Sequence, residues 1–393
     1  MTSPVDTSVK HFYSSMQGGP VLAGQAGSLI ALLDACLVTG WGLKAVDSAV
    51  IANGVCRMNF ASGKSGGEVD AVILVAGASL AGLNGEQRIT EVSSTWVEFR
   101  TALPDGAVTG SISFKMAAAG WSKPFSGTHI AVYQSPNPQS TRMFVRVDDT
   151  GTVEARLRGY ETMTDASTGA GLFPLDGQIN GGGYFNKSTA ASATPVKWRI
   201  VANDRSVFIN VVGYSGSIAS AESGRTVFIG DFQGGKPGGD PYAFSIGCGS
   251  AAGYSVTPGT CDQSGGVNQL APRSYTALGG AISLTAVPEI GTAGAISGLD
   301  TAFGPFPNVI DGGLRLSRRL MLEGVAQRGV VPGLYTVPQS AVGAIIAPLA
   351  RTPGRGVLSG RNLLAIGCGA GSQLYPSISL GISFIDITGP WDY

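Results

Sequence analysis

Two cysteines in this chain are flanked on both sides by glycine. Gly247-Cys248-Gly249 follows the apolar run Tyr242 to Ile246, and Gly367-Cys368-Gly369 follows Leu363 to Ile366. Such a corner could cradle a dinucleotide phosphate or hold a thiol nucleophile. A dinucleotide loop needs a strand before it, a helix after it and an acidic residue about 20 positions on. Both corners have the strand. Neither has the helix, because Pro258 and several glycines follow the first and Pro376 follows the second. Without helix N-terminal amides there is nothing to hold a phosphate. Each corner therefore reads as a strand end where glycine admits a bulge or a close backbone approach, with cysteine as a small buried filler.

The other reactive groups are sparse. Gly63-Lys64-Ser65-Gly66-Gly67 has fragments of a phosphate loop and of a nucleophile elbow, but no helix follows and the elbow has no histidine base nearby. It reads as a turn. Only two histidines exist, His11 and His129, so a Cys/His or Ser/His hydrolase would have to use one of them. The pairing of Cys248 or Cys368 with His129 is the one such arrangement left open. Scattered cysteines and two histidines lack zinc-ligand spacing. Asp148, Asp149, Glu154, Glu161 and Asp165 cluster in sequence. A hairpin could bring Asp149 and Glu154 to the roughly 5–10 Å separation of a glycan hydrolase, although Asp-Asp-Thr-Gly is also an ordinary turn. The loops around Asp231 and Asp240 carry oxygens but lack a calcium-loop pattern. No catalytic, cofactor or metal residue is assigned, and the chain is expected not to be an enzyme.

The elements that would position these groups are strands. Charged residues are 13% of 393, with 26 Lys+Arg against 26 Asp+Glu, and there are 59 glycines. A weakly charged, glycine-rich chain suits turn-rich β structure, and its low net charge suits a member of an assembly. No basic run points to nucleic acid, and no apolar run is long enough for a membrane span. The N-terminal residues lack a signal-peptide pattern, so a reducing cytosol is expected. The five cysteines are odd in number, and whether Cys248 and Cys261 pair is open. Helical spacing over Ala26–Val38 predicts one substantial helix, closed by Gly40 and Gly42. The rest alternates as strands. In Arg142–Val147, Met143, Val145 and Val147 fall on one face.

The stretch VDAVILVAGASLAGLNGEQRITEVSSTWVEF resembles a small β module recurrent in bacteriophage tail and other virion proteins: an apolar strand, an Ala/Gly-rich turn ending in Leu-Asn-Gly, then a Thr/Phe-rich strand. The opening PVDTSVKHFYSSMQGGPVLAG and the closing DITGPWDY are similar to uncharacterised structural proteins of phage and prophage tail gene clusters. That resemblance implies a structural role in the virion and supplies no catalytic residues.

The expected fold is mainly β: a multi-module β-sandwich or barrel with one short N-terminal helix. Residues 1–46 form an arm and helix, 47–116 a small inserted β module, 117–280 a main sandwich, and 281–393 a C-terminal β region with a tail. The sheet begun near Gly40–Lys44 is expected to continue after Gly120. The expected function is a tail-associated virion component, assembled in the host cytoplasm and bound to copies of itself and other virion proteins. His11, Phe12 and Tyr13 of the arm and Trp391 and Tyr393 of the tail are the candidate interface. A receptor- or host-glycan-binding protein and a glycan hydrolase are the alternatives.

Overall fold

The computed structural model describes residues 3–212, 224–253, 260–261, 267–290, 302–368 and 381–393. The chain is mainly β, with several sheets and one short helix near its start. It opens with strand β1 (Lys10–Tyr13) and helix α1 (Ser28–Leu33), which runs on as a wider π-type turn to Thr39. Leu29, Leu32, Leu33, Cys36 and Leu37 are its buried face, the stripe their spacing predicts. Gly40 ends it at φ 71°, with its α-carbon so close to Met116 that a β-carbon would sit 2.3 Å from the Met116 carbonyl oxygen.

A small eight-stranded sheet follows. It comprises β2 (Trp41–Ala45), β3 (Ser48–Ala52), β4 (Val55–Asn59), β5 (Val72–Ala78), β6 (Gly85–Val92), β7 (Trp96–Arg100), β8 (Gly106–Val108) and β9 (Gly110–Met116), in the order β2-β9-β5-β6-β7-β4-β3-β8. Alternation buries Ala49 and Ile51, Cys56 and Met58, Val97 and Phe99, and Ile112, Phe114 and Met116. The module begins at Trp41 rather than residue 47, because β2 pairs with β9. The sheet containing β2 does not continue after Gly120. There, Gly120 and Trp121 donate instead to the Leu37 carbonyl at the end of the helix.

Next come β10 (Ser122–Gly127), β11 (Ile130–Gln134), β12 (Phe144–Asp148), β13 (Glu154–Tyr160), the ribbon β14 (Thr162–Met163) and β15 (Gly169–Ala170), and β16 (Gly183–Asn186). β10, β11, β12, β13 and β16 form a five-stranded antiparallel sheet. Met143, Val145 and Val147 are buried, on the face the alternation indicates.

The largest sheet takes the rest: β17 (Lys197–Ala202), β18 (Ser206–Val212), β19 (Arg225–Asp231), β20 (Gln233–Gly234), β21 (Phe244–Gly247), β22 (Val267–Ala271), β23 (Ile282–Pro288), β24 (Ser317–Glu323), β25 (Ala326–Thr336), a single helical turn α2 (Val342–Ile345), β26 (Arg351–Pro353), β27 (Asn362–Cys368) and β28 (Gly381–Asp386). Its order is β1-β17-β18-β19-β21-β22-β23-β24-β25-β28-β27-β26, with β20 paired to β25. The expected boundary at 280/281 falls inside this sheet, since β22 and β23 pair from Val267↔Ala286 to Ala271↔Ile282.

The large sheet winds back on itself. Gly224, just before β19, donates to the Gly367 carbonyl of β27 at 3.0 Å. At the seam, Arg351 of edge strand β26 lies near enough to act on the hydroxyl of Tyr13 in edge strand β1. The wound sheet encloses Val201, Phe208, Phe228, Leu284, Met321, Leu334, Leu364 and Ile385. On the other face of β18 and β19, Val207, Ile209, Val227 and Ile229 join the core shared with α1 and the two smaller sheets. Every residue of β18 and β19 is therefore buried.

Arg88 of β6 ties the small sheet to both chain ends. It is 3% exposed. Its Nε donates to the Asp6 carbonyl at 2.7 Å, Nη1 to Asp70 and Ile387 at 2.6 and 2.8 Å, and Nη2 to Val9 and Thr388, both at 3.2 Å. All five guanidinium N–H groups are thus used on backbone carbonyls. Arg88→Ala leaves buried carbonyls unsatisfied and is expected to destabilise the fold by roughly 3–5 kcal/mol. Arg88→Lys, with three donors and no planar fork, should recover only part of this. Urea unfolding monitored by tryptophan fluorescence checks both.

Candidate functional site

The cysteines of both Gly-Cys-Gly corners are buried at strand ends. Cys248 lies just past β21, buried against Gly183, where a β-carbon would stand 2.1 Å from its sulfur. Its neighbour Gly249 bridges Tyr184 through N–H···O bonds of 2.8 and 2.9 Å. Burial pushes the Cys248 thiol up to about 12, which disfavours the thiolate a nucleophile needs. Cys368, the last residue of β27, is buried with its sulfur 3.6 Å from the Ser383 hydroxyl. The segments 254–259 and 369–380, where a helix would follow, lie outside the described residues. No disulfide forms among the described residues, so Cys248 and Cys261 are not bridged.

His129 sits exposed in the β10–β11 turn at φ 55°, its ring over Gly27, while Cys248 faces Gly183 and Cys368 faces Ser383. Ser65 is a buried turn residue whose hydroxyl accepts from the Gly67 amide at 3.2 Å. Among the described residues, no group of three His, Cys, Asp or Glu side chains could hold a metal ion, and no helix is long and apolar enough to cross a membrane.

The clustered carboxylates do different work from a hydrolase pair. Asp149 is fully buried and ion-paired with the equally buried Lys187. Its other oxygen accepts the Leu29 and Ile30 amides of α1 at 2.8 and 3.2 Å. Its backbone carbonyl accepts the Gly27 amide, and Lys187 Nζ also reaches the Gln25 carbonyl at 2.6 Å. Burial raises the Asp149 carboxyl above its ordinary value, while Lys187 and the two amides pull the other way. Asp149 thus caps α1 from a distant strand end and fixes the helix on the five-stranded sheet. Glu154 is engaged elsewhere, accepting Asn186 Nδ2 at 3.2 Å and the Gly253 amide at 2.7 Å.

The expected interface residues face inward. His11 and Phe12 are buried and Tyr13 half-buried, because β1 pairs with β17 and carries its side chains into the chain's own cores. Trp391 is buried edge-on against Phe208, ring centroids 5.5 Å apart, and donates to the Asp386 carbonyl at 2.9 Å. It lies over Gly333, where any β-carbon would collide with the indole. Tyr393 donates to Asn203 Oδ1 or Ser206 Oγ, at 3.0 and 3.1 Å, beneath the Arg205 guanidinium at 3.8 Å from its ring centre.

This docked tail borders an open cleft of about 540 Å³. Asn137, Gln139, Asp204, Arg205, Gln233 and Asp392 supply its polar wall. Arg205 is oriented by Asp231 at 2.9 Å, and Asp231 also holds the Thr141 hydroxyl at 2.6 Å. Asn137 Nδ2 donates to Asp204 at 2.9 Å. Burial raises the Asp231 carboxyl, opposed by Thr141 and Arg205. Planar amides and carboxylates beside a guanidinium offer paired donors and acceptors to a hydroxyl-bearing ligand. Sequence reasoning reached the aromatic tail but not the amides. The sequence signal nearest to them is the Asp204-Arg205 hairpin turn between two strands, which places both residues at the cleft wall. No protein-family model matches the chain, and no curated protein matches it.

Asp149→Asn strands a buried ammonium, and is expected to cost roughly 3–5 kcal/mol. The double replacement Asp149→Leu with Lys187→Met removes both charges and should cost less than the single change. Denaturant midpoints of the two variants check the order.

Proposed function

We propose that this chain is a non-enzymatic structural component of a bacteriophage tail that works by contact with copies of itself and other virion proteins. The resemblance of residues 47–116 and of the two chain ends to phage tail proteins supports the reading. The observation that carries it is a set of apolar side chains at one end of the large sheet. Leu278 and Tyr275 of the β22–β23 loop and Val325 at the β24–β25 tip are exposed, Val325 fully. Leu175 stands beside them, 3.6 Å from where a Gly280 β-carbon would lie.

These tips are held stiffly. Arg328 donates to Asp240, to Glu323 and to the carbonyls of Arg273 and Tyr242. Glu323 in turn accepts the Ser274 hydroxyl and the Tyr275 amide, and Lys236 caps the Tyr275 carbonyl at 3.0 Å. Exposed apolar groups on preorganised loops favour association, because little further ordering is needed on contact. In this reading the contacts come from loop tips, not from arms that reach out.

A second reading, favoured by the amide-lined cleft beside Tyr393, is recognition of a host-surface glycan. Both are testable. Light scattering should give a concentration-dependent oligomer that Leu278→Asp and Val325→Asp dissociate, and labelled antibody should decorate purified particles. A monomer at high concentration, absent from particles, overturns the assembly reading. Saturation-transfer NMR with glucose, galactose and N-acetylglucosamine oligomers tests the second: binding weakened about fivefold each by Gln139→Ala and Gln233→Ala is the expected result, and no transfer to any sugar overturns it.

A further inference from the structure

His11 lies in the seam where the first and last strands of the large sheet meet. It is 1% exposed, and neither ring nitrogen has a hydrogen-bond partner among the described residues. Its ring stacks on Tyr13 of the same strand, centroids 6.4 Å apart. The charges acting on it are both positive: Arg351 of β26 and Arg88 of β6. Lys10, the adjacent residue of β1, is paired with Glu86 at 2.9 Å. Carboxylates stand one step removed. Asp70, Asp6, Asp386 and Glu86 act on Arg88, and Glu68 acts on Tyr13. Among the described residues, no carboxylate acts on the imidazole to stabilise its protonated form.

We infer that His11 is an acid trigger for the N-terminal arm: protonation of its ring adds a cation to a buried seam that already holds Arg351 and Arg88, and β1 leaves the sheet edge. A buried, unpaired charge is far costlier than a buried neutral imidazole, so the ring must reach water to keep its proton. Leaving detaches the Asp6 and Val9 carbonyls from Arg88 and uncovers the edge of β17.

The sign follows from burial, which with Arg351 and Arg88 holds the His11 imidazole well below its ordinary value. The seated arm therefore binds fewer protons than the released arm. Its stability is full above the ordinary histidine range, about 6.5, and falls as pH drops below it. Asp149 and Asp231 act oppositely and in the carboxylate range, because burial raises both. Comparing wild type with His11→Phe at each pH removes their contribution.

Hydrogen exchange over residues 9–14, corrected for intrinsic rates, reads the arm directly. Protection in the wild type should fall by about tenfold or more between pH 7.5 and 5.0, and His11→Phe should retain it. Unchanged wild-type protection, or an equal loss in the variant, overturns the inference. The imidazole Hε1 signals give a readout that needs no variant, since the chain has only two histidines. The His11 signal should stay neutral until the arm exchanges. A His11 signal that becomes protonated while the arm stays protected also overturns it.

Discussion

The arrangement depends on one guanidinium. Arg88 is an obligatory donor of five hydrogen bonds at a buried position, and its partners are backbone carbonyls from three separate stretches: Asp6 and Val9, Asp70, and Ile387 and Thr388. Burial lowers its pKa, and Asp70, Asp6, Asp386 and Glu86 counter that by favouring the charge. A carbonyl carries no sequence information, so what the group specifies is position. Each stretch must pass at the right distance and angle, or a donor is orphaned. A planar fork of this kind fixes geometry in a way that apolar contact, which tolerates sliding, does not.

The same device recurs. Asp149 with Lys187 pins α1, Arg328 ties Asp240 to Glu323 and two carbonyls, and Asp231 with Arg205 braces the turn beneath the tail. Charged residues are only 13% of the chain, yet several of them are turned inward. They contribute less to net stability than to the choice of one arrangement among many similar β packings, because apolar replacements of equal volume often do as well energetically. The wound sheet, buried on both faces at β18 and β19, would otherwise have few features to fix its register.

Local patterns were legible in the sequence. The Leu29–Leu37 stripe marks α1, and the Met143–Val147 alternation marks β12. Strands buried on both faces lose that alternation, so β18 and β19 read as apolar runs without a preferred side. The module edge was misplaced because β2 pairs with β9 across some seventy residues, a link no local signal carries. The inward course of His11 and Phe12 is hidden for the same reason, and for Trp391 the sequence leaves open whether it docks on its own chain or on a neighbour. An aromatic near a chain end looks the same in sequence whether it docks at home or abroad. The partners that settle the matter, Phe208, Gly333 and Asn203, are far along the chain. At the cleft, Asn137, Gln139 and Gln233 are ordinary loop or edge residues until the fold gathers them.

The spacing of the Arg88 bonds has a bearing on synthesis. Ile387 and Thr388 lie 299 and 300 positions beyond the arginine. At translation rates of about 5–20 residues per second, on the order of 15–60 s separate the emergence of Arg88 from that of its last acceptors. Throughout that interval the nascent small sheet carries a cation two of whose five acceptors do not yet exist. Its remaining donors must be met by water until then, and the complete junction forms only after that long wait, in a late step of maturation.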